Sequence, residues 1–493
     1  MNTLVDLQDS LAVRRPADGA VLAAVAVAAV MTDVAVRSGP DGLAGAVLVA
    51  LVAGGLVLSG RVANPQARAL AAGAVVFGVC LAARTSPWLL PLDILAVGGL
   101  LVLAASFASG GSVLDLSVPA AVTRAVHAAF HGLTAPAFLV AGRGGRVTSR
   151  RAMAAARGVV LAVPVLVVLG VLLASADAVF AGFFTGWDLL TPIQHGVLLV
   201  VGAWGMAGLL RLASASPAPS LGRVGYRLGR TEAAIVLGSV VVLFAGFAVA
   251  QVVAASEGGR HVIETAGLTY AEYARTGFFQ LLAVAAITLA VLLGLRAATD
   301  VSDPADRRRF TVLAEAAVAL TLVVVVVAVV RLGLYEQAFG FTMLRLYSKV
   351  FAAWIGVVFL LLALHLVGLG RGRQWLPSVA VAAGLLALLG LNLANPEAVV
   401  VRHNVAFAER TGRFDPVYLT DLSDDAVPAL VAALPRLDPD ARQVVLAQVC
   451  RMSPVGGDGR SWWASNISHR AAGHARATVC VPGDLGGGRP PGR

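Results

Sequence analysis

Residues 310–349 read FTVLAEAAVALTLVVVVVAVVRLGLYEQAFGFTMLRLYSK. The first part of this stretch is a run of apolar residues long enough to cross a bilayer, which takes about 20 residues as an α-helix. The second part, residues 331–349, contains two Arg, one Glu, two Tyr and the only Lys of the chain. The stretch therefore predicts a membrane helix followed by a polar connector. It leaves open whether that connector is an ordinary loop or part of a functional site.

The whole chain repeats the pattern of this stretch. Its 493 residues are 58% hydrophobic and 13% charged, with a mean hydropathy of +0.82, whereas a soluble domain carries about 25% charged residues. Apolar runs rich in Ala, Leu and Gly recur between short loops, which disfavours a β-barrel with alternating strands. The predicted fold class is all-α: a polytopic transmembrane helix bundle of about 11 spans with a small helical C-terminal extramembrane domain.

The predicted bundle occupies residues 19–395, after a cytoplasmic N-terminal segment at residues 1–18. Several early spans are short and rich in Ala and Gly, so a count of ten is the alternative. The eleven predicted spans are 19–36, 43–60, 67–83, 87–107, 154–176, 192–213, 231–253, 276–296, 310–333, 346–369 and 374–394.

Arginine in the loops predicts the orientation of the bundle. With the N-terminus inside the cell, the predicted inner segments carry 19 Arg and the outer loops carry 6. Because positive residues are enriched in cytoplasmic loops, we expect a cytoplasmic N-terminus and an extracytoplasmic C-terminus. The strong preference for Arg over Lys is typical of a GC-rich bacterium, so the expected location is a bacterial inner membrane. The same loops explain the net charge of +10, and nucleic acid is not an expected partner.

A loop at residues 108–153 is predicted to lie on the cytoplasmic side and to contain an amphipathic or re-entrant helix. Arg124, His127 and His131 fall there at helical spacing. The HxxxH pair could begin a metal site, but it lacks the Glu of HExxH and a third ligand. We therefore predict an interfacial helix without a metal, and we expect no cofactor.

The composition changes from apolar to polar at the C-terminal side of the last span. Asp438, followed by Pro, is a helix-start signal that supports a helical extracytoplasmic domain at residues 396–482. The Gly- and Pro-rich end at residues 483–493 is predicted to be disordered. Outside the cytoplasm a disulfide between Cys450 and Cys480 is chemically permitted, and two unpaired thiols are the alternative.

Ionisable residues inside apolar spans are costly and are therefore candidates for function. Asp93, Glu315 and His365 are the three deep candidates. Asp93 and Glu315 lie about two turns from predicted helix ends, where a shifted helix edge or snorkelling would also explain them. His365 is equally consistent with an interior histidine whose hydrogen bonds are satisfied.

A second group of polar residues falls at the predicted outer ends of spans. Four of the six Tyr lie in two segments, TYAEYAR at residues 269–275 and the connector at residues 331–349. One interpretation is an aromatic belt with ion pairs that fix helix ends at the interface. The other is a binding or catalytic site. The residues of this predicted outer-face site are Asp177, Tyr270, Glu272, Arg275, Tyr335, Glu336, Arg345 and Lys349.

Several of these segments resemble a known family. TYAEYARTGFFQL, LYEQAFGFTMLRLYSKVFAAW, LASADAVF and FDPVYLTDLSDDAVPAL are similar to the bacterial polytopic membrane family numbered four-one-seven-three among the domains of unknown function. SWWASNISHRAA is similar to the closing motif of that family. The resemblance implies a multi-helix membrane protein with a helical C-terminal segment. It implies no established activity, so it assigns no catalytic residue.

Three functions are compatible with the sequence. A transporter or permease with a polar site at the outer face is the leading expectation, although no inverted repeat of interrupted spans is visible. The main alternative is a non-catalytic sensor or scaffold that recruits a protein partner through its C-terminal domain. A membrane enzyme acting on envelope or lipid-linked substrates is less favoured. The lipid bilayer is an expected partner in all three cases, and the sequence does not specify an oligomeric state.

The predicted orientation can be tested with fusions to alkaline phosphatase, which is active only outside the cytoplasm. A fusion after residue 395 should be active and one within residues 214–230 should be inactive, because the arginine pattern places these points on opposite sides. Enzyme activity in intact cells, divided by the amount of fusion protein on an immunoblot, gives the result. Inactivity of both fusions would contradict the orientation and the grouping of the outer-face residues.

Overall fold

The structure, a computed structural model, describes residues 17–141, 190–216, 228–255, 270–299, 303–368, 374–451 and 461–480, and the single positions 158, 162, 169 and 173. Its regular structure over these residues is helical, without strands. Eight of the helices are long and apolar enough to cross a membrane, and shorter apolar helices accompany them. The predicted all-α polytopic bundle is confirmed. By its internal contacts the chain forms two compact units.

The first unit consists of the described residues within 1–113, 119–220 and 454–470. Its helices coincide with predicted spans one to four and six and with the predicted amphipathic helix. Predicted span 154–176 lies almost entirely outside the described residues. The helices are α1 (Gly19–Ser38), α2 (Leu43–Leu58), α3 (Pro65–Ala83), α4 (Leu90–Ser106), α5 (Val118–Leu133), α6 (Ala135–Ala141) and α7 (Leu190–Ala213).

Local sequence signals set the starts of these helices. The Asp18 carboxylate accepts a hydrogen bond from the Val21 N–H (3.0 Å) at the start of α1. Asn64 caps α3 in the same way, with Pro at the first helical position. This combination satisfies an N–H that has no partner within the helix and fixes φ in advance.

A glycine allows α2 and α3 to pack closely. A Cβ at Gly78 on α3 would lie 2.8 Å from Val49 on α2, so only glycine permits this approach.

Helix α5 lies within the 108–153 region, and the burial of its residues shows which face it turns to the bundle. Thr123, His127 and His131 are buried, whereas Val122 and Val126 are exposed. The polar face therefore packs on the bundle, and the apolar face is left on the surface. An exposed apolar face of this kind is typical of helices that lie at the edge of a bilayer, and the interfacial position of α5 stays a prediction.

Residues 461–470 close one end of the first unit. The Asn466 side chain, 1% exposed, donates hydrogen bonds to the carbonyl oxygens of Leu81 (3.2 Å) and Arg84 (3.0 Å) at the end of α3. It also donates to the carbonyl of Asp41, between α1 and α2. The last carbonyls of a helix have no partner within the helix. Asn466 therefore supplies partners that these helix ends lack.

The end of the first unit that residues 461–470 close lies far from the N-terminal end of α1. Arg61, between α2 and α3, forms an ion pair with Asp18 (3.3 Å), so these two residues mark the N-terminal end. Helix α1 rises about 30 Å over its 20 residues. Residues 461–470 and Asp18 thus lie at opposite ends of the first unit.

The second unit consists of the described residues within 114–118, 221–453 and 471–493. Its long helices coincide with predicted spans seven to eleven, and five shorter helices follow, of which α17 begins within residues assigned to the first unit. The long helices are α8 (Arg230–Ala255), α9 (Tyr270–Ala298), α10 (Pro304–Phe339), α11 (Met343–Leu366) and α12 (Leu376–Ala394). The shorter helices are α13 (Pro396–Thr411), α14 (Pro416–Thr420), α15 (Val427–Ala433), α16 (Pro439–Arg451) and α17 (Ile467–Ala477).

Helix α10 is longer than the predicted span 310–333. Asp303 caps it, with Pro304 at the first position, and it continues for 36 residues, which corresponds to about 54 Å. The hydrocarbon core of a bilayer is about 30 Å thick. Helix α10 must therefore extend beyond that core, and the polar residues after Val330 continue it as helix rather than forming a loop.

The short helices α13 to α17 form a domain with its own apolar core. Val401, Leu419, Leu430 and Val445 are among its buried residues. Asp438 accepts a hydrogen bond from the Ala441 N–H (2.9 Å) at the start of α16, the cap that the sequence indicates. Two cross-links hold the domain together: a disulfide between Cys450 and Cys480, whose Cα atoms are 5.6 Å apart, and an ion pair between Asp424 and Arg476 (2.6 Å).

Replacing Asn466 with Ala should destabilise the first unit, because the carbonyls at the end of α3 would lose their partner. Leaving buried acceptors unsatisfied costs about 1–3 kcal/mol. The thermal midpoint of the purified protein in detergent should therefore fall. Thr478→Ala is the control, since this exposed hydroxyl bonds only to the Ala475 carbonyl in its own turn (2.7 Å). Equal midpoints for Asn466→Ala and the control would show that residues 461–470 do not stabilise the bundle.

Candidate functional site

Residues 331–349, which we call the elbow, are the part of the predicted outer-face site that the structure describes most fully. Helix α10 ends at Phe339 and α11 begins at Met343, so the elbow is two helix ends joined by a three-residue turn. Gly340 has φ +75°, and a Cβ there would lie 2.8 Å from the Asn404 side chain. Both the positive φ and the close contact require glycine at this position. Thr342 caps α11 by accepting a hydrogen bond from the Arg345 N–H (3.4 Å).

A buried ion pair connects the two helices of the elbow. The Lys349 ammonium donates to Oε2 of Glu336, and it lies 5.4 Å from the centre of the Phe341 ring. Glu336 is buried, and the Lys349 side chain is 34% exposed. Oε1 of Glu336 is buried as well and has no hydrogen-bond partner among the described residues. The pair therefore fixes the angle between α10 and α11, since separating the charges would leave a buried carboxylate alone.

Arg345 has a different role from Lys349, although the two lie four residues apart. Its guanidinium donates to the carbonyl oxygens of Phe339 (3.2 Å) and Gly340. It also lies over the Tyr335 ring, 4.2 Å from the ring centre. Basic side chains commonly satisfy the last carbonyls of a helix in this way. Arg345 and Tyr335 therefore complete the end of α10.

The C-terminal domain is attached to the elbow by hydrogen bonds to the backbone of the turn. Oδ1 of Asn404, on α13, accepts from the Phe341 N–H (2.9 Å), and its Nδ2 donates to the Phe341 carbonyl (2.6 Å). The Tyr418 hydroxyl, on α14, accepts from the Met343 N–H (2.8 Å). Burial raises the pKa of Tyr418, so the hydroxyl stays protonated at neutral pH. One amide side chain thus satisfies both backbone groups of the residue that follows Gly340.

Apolar contacts continue the attachment. Phe341 and Met343 of the elbow are buried in the same core as Val401 and Leu419 of the domain. The domain core is therefore completed by two residues that precede it by many positions in the sequence.

His403 of the domain packs its ring on the Phe341 ring, with 4.6 Å between ring centres. Loss of hydration lowers the pKa of His403 from 6.5; Glu336 opposes this shift, and Lys349 adds to it. A histidine whose folded-state pKa is lowered resists protonation in the folded state. Attachment of the domain therefore loses stability as the pH falls below about 6.5, by a small amount because His403 is exposed on one side.

The remaining members of the predicted outer-face site are not brought into this cluster by the described residues. Asp177 lies outside the described residues. Tyr270, Glu272 and Arg275 belong by their backbone to the first turns of α9, and their side chains lie outside the described part of the structure. The grouping of these four residues with the elbow stays a prediction.

The three intramembrane candidates lie in different environments. Asp93 is buried in the first turn of α4, where the helix dipole stabilises a carboxylate. Glu315 lies in α10, and its Oε1 is buried without a hydrogen-bond partner among the described residues. His365 is in the last turn of α11 and contacts the Trp375 ring edge-on, with 5.6 Å between ring centres. Asp93 and His365 are thus helix-end residues, and both Glu315 (Oε1) and His365 (Nδ1) have a buried polar atom without a hydrogen-bond partner among the described residues.

The structure adds a buried polar array in the first unit that the sequence indicated only in part. Nε of Arg211 donates to Nδ1 of His131 (3.1 Å), and Nε2 of His131 lies 3.1 Å from Nε2 of His127. Because an arginine can only donate, Nδ1 of His131 must be the acceptor and its proton must be on Nε2. That proton occupies the position through which His131 would bind a metal. The HxxxH spacing was visible in the sequence, but its partner Arg211 follows 80 residues later.

Comparison with known proteins identifies a family for most of the chain. A family model described as a domain of unknown function, DUF4153, matches residues 71–433, more than half of the chain. No curated protein and no solved structure matches. The resemblance to the family numbered four-one-seven-three was therefore wrong. It rested on short motifs at helix ends, whose Tyr, Arg and Gly content follows from the needs of helix termini at a membrane surface.

The Glu336–Lys349 pair can be tested by comparing a single variant with a double variant. Lys349→Met should destabilise the protein by about 1–3 kcal/mol, because it leaves a buried carboxylate oxygen without its hydrogen-bond donor. Adding Glu336→Gln to Lys349→Met should recover most of this loss, since no charge is then buried alone. Thermal midpoints of the purified proteins give the comparison, with Arg402→Met, an exposed cation on α13, as the control. A double variant no more stable than Lys349→Met would show that the pair does not hold the elbow.

Proposed function

The chain belongs to the DUF4153 family, a domain of unknown function, and we propose that it is a non-catalytic membrane scaffold or sensor. In this proposal the bundle holds the C-terminal helical domain at one membrane face, and the domain recruits a protein partner. The observation that carries the proposal is the double hydrogen bond of Asn404 to the backbone of Phe341. It gives the polar connector a role in fixing the domain.

The use of the other elbow residues supports the same proposal. Tyr335 and Arg345 complete the end of α10, and Glu336 pairs with Lys349. A substrate site needs side chains that can turn to a ligand, whereas Tyr335, Arg345, Lys349 and one carboxylate oxygen of Glu336 are occupied with each other and with the backbone. The described part of the predicted outer-face site therefore favours attachment of the domain over binding of a transported solute.

The surface of the C-terminal domain offers a place for a partner. Val417 on α14 is 70% exposed and Val444 on α16 is 45% exposed, and these two helices pack against each other. Exposed apolar residues that form a contiguous patch are typical of protein interaction sites, and we propose that these two valines belong to one. Both residues belong to the short helices of the domain rather than to the long apolar helices, which favours a protein partner over lipid.

The proposed location is a bacterial inner membrane, with the N-terminus in the cytoplasm and the domain outside it. The arginine distribution supports this orientation. The disulfide between Cys450 and Cys480 supports it independently, because disulfides persist in oxidising compartments and are rare in the cytoplasm.

A transporter or permease is the second candidate, and one observation favours it. Oε1 of Glu336 is buried without a hydrogen-bond partner among the described residues, and such an oxygen could accept a proton or a cation during transport. This candidate requires Glu336 itself, whereas the scaffold requires the surface of the domain.

The two candidates can be separated by complementation of a strain that lacks the gene. The scaffold predicts that Val417→Asp combined with Val444→Asp fails to restore the lost phenotype, although the protein accumulates and unfolds normally. It also predicts that Glu336→Gln restores it. Ala477→Asp, which places a charge elsewhere on the exposed surface of the same domain, is the matched control and should restore it too. Failure of Glu336→Gln together with success of the valine variant would overturn the scaffold in favour of transport.

A further inference from the structure

The first unit contains a cavity of about 460 Å³ between α1, α2, α4, α5 and α7. This volume falls within the range of small-molecule sites, roughly 300–1,000 Å³. Its walls are almost wholly apolar, with Thr32 and Trp204 as the exceptions. Among the apolar residues that line it are Leu48, Val52, Leu101, Val201, Leu209 and Leu212.

Glycines keep this cavity open. Gly98, Gly132 and Gly205 line it, and a Cβ at any of the three would have no atom within 4 Å. Glycine inside a helix costs about 1 kcal/mol relative to alanine. At Gly202, by contrast, a Cβ would lie 2.5 Å from Thr32, so helix packing explains that glycine. Packing does not explain the other three, and each of them leaves space that a side chain would fill.

The mouth of the cavity faces the side of the bundle. Gly98 and Val102 on α4 and Val201 and Gly205 on α7 are both lining residues and exposed. Helix α7 is long and apolar enough to span a membrane, and α4 is a shorter apolar helix. An opening on the flank of such helices faces the acyl chains of the bilayer rather than water.

Two arginines lie next to, or one turn from, lining residues at the α5 end of the cavity, although neither lines it itself. Ala128 and Gly132 of α5 line it, and Arg124 precedes Ala128 by one helical turn. Arg211 precedes the lining residue Leu212 on α7.

Arg124 donates to the Ser106 carbonyl (2.8 Å) and lies 3.8 Å from the centre of the Phe107 ring. Arg211 donates to Nδ1 of His131 (3.1 Å) and to the Thr134 carbonyl (2.6 Å). None of these partners is a carboxylate, so they leave the positive charge of both arginines without an anionic neighbour among the described residues. Phosphate oxygens are the natural acceptors for such arginines.

We infer that this cavity binds one acyl chain of a membrane phospholipid, whose phosphate lies at the α5 end near Arg124. The chain enters between α4 and α7 and fills the space in front of the three glycines. Transfer of an acyl chain from the bilayer gains little hydrophobic free energy, because both environments are apolar. Selectivity therefore comes from close contacts in the cavity and from the arginines at its end.

Native mass spectrometry tests this inference. The full-length protein is reconstituted into vesicles of equal parts phosphatidylethanolamine and phosphatidylglycerol and extracted with a mild detergent. The wild-type protein should carry one phospholipid, and Gly98→Leu and Gly205→Leu should each lose it from most molecules. Gly99→Leu is the matched control: Gly99 is the next residue on α4, also has open space before it, and does not line the cavity. Retention of the lipid by Gly98→Leu and Gly205→Leu would overturn the inference.

Two further measurements keep the test decisive if a leucine variant does not fold, which circular dichroism and gel filtration would show. A phospholipid with a photoactivatable group in its acyl chain should label wild-type peptides containing Val102 or Val201, and labelling spread evenly over α8 to α12 would contradict the site.

The position of the phosphate is tested with diacylglycerol. Diacylglycerol with the same chains lacks the phosphate and should be retained several-fold less. Equal retention, or no effect of Arg124→Gln on phospholipid retention, would overturn the position of the phosphate.

Discussion

The paired hydrogen bonds between Asn404 and Phe341 are the contact on which the second unit depends. A turn between two long helices breaks the backbone ladder, and Gly340 with its positive φ ends α10 abruptly. The N–H and carbonyl of the next residue then have no partner within either helix, and leaving such groups buried and unpaired is costly. Asn404 satisfies both with one side chain. Because both bonds must form together, they define the position of α13 against the elbow far more narrowly than apolar contact alone.

Asparagine performs the same task elsewhere in the molecule. Asn466 supplies hydrogen bonds to the end of α3, and Asn64 both caps α3 and donates to the Phe107 carbonyl (3.1 Å). Asn395 joins α12 to α13, with φ 55° and its side chain accepting from the Ala398 N–H (3.1 Å). Backbone groups that are buried at helix ends need partners from within the protein. A side chain that both donates and accepts is therefore well suited to the places where helices turn.

The parts of the fold that depend on local sequence could be predicted, and the contacts between distant segments could not. Apolar runs predicted the long helices because every backbone group of a membrane helix is satisfied within the segment itself. The elbow was predicted as a polar connector, but its first part continues α10 as helix, and its turn is fixed by contacts with the domain. Asn404 lies 63 residues from Phe341, and nothing in the local sequence of either residue indicates the other. Arg211 is likewise 80 residues from His131 in the sequence, so local sequence does not indicate that the two are partners.

The only lysine of the chain, Lys349, lies in the elbow. Every other basic residue is arginine, so this composition bias by itself would place arginine at position 349. The structure gives a reason for lysine: its ammonium contacts Oε2 of Glu336 and lies near the face of the Phe341 ring, between two helices that converge at a tight turn. An ammonium is a compact point charge, whereas a guanidinium is a broad planar fork that needs several acceptors. At Arg345, where two successive carbonyls accept hydrogen bonds and a Tyr ring lies alongside, the fork fits. The two cations of the elbow therefore differ because the spaces they occupy differ, and the sequence reports this difference in a chain that otherwise uses only arginine.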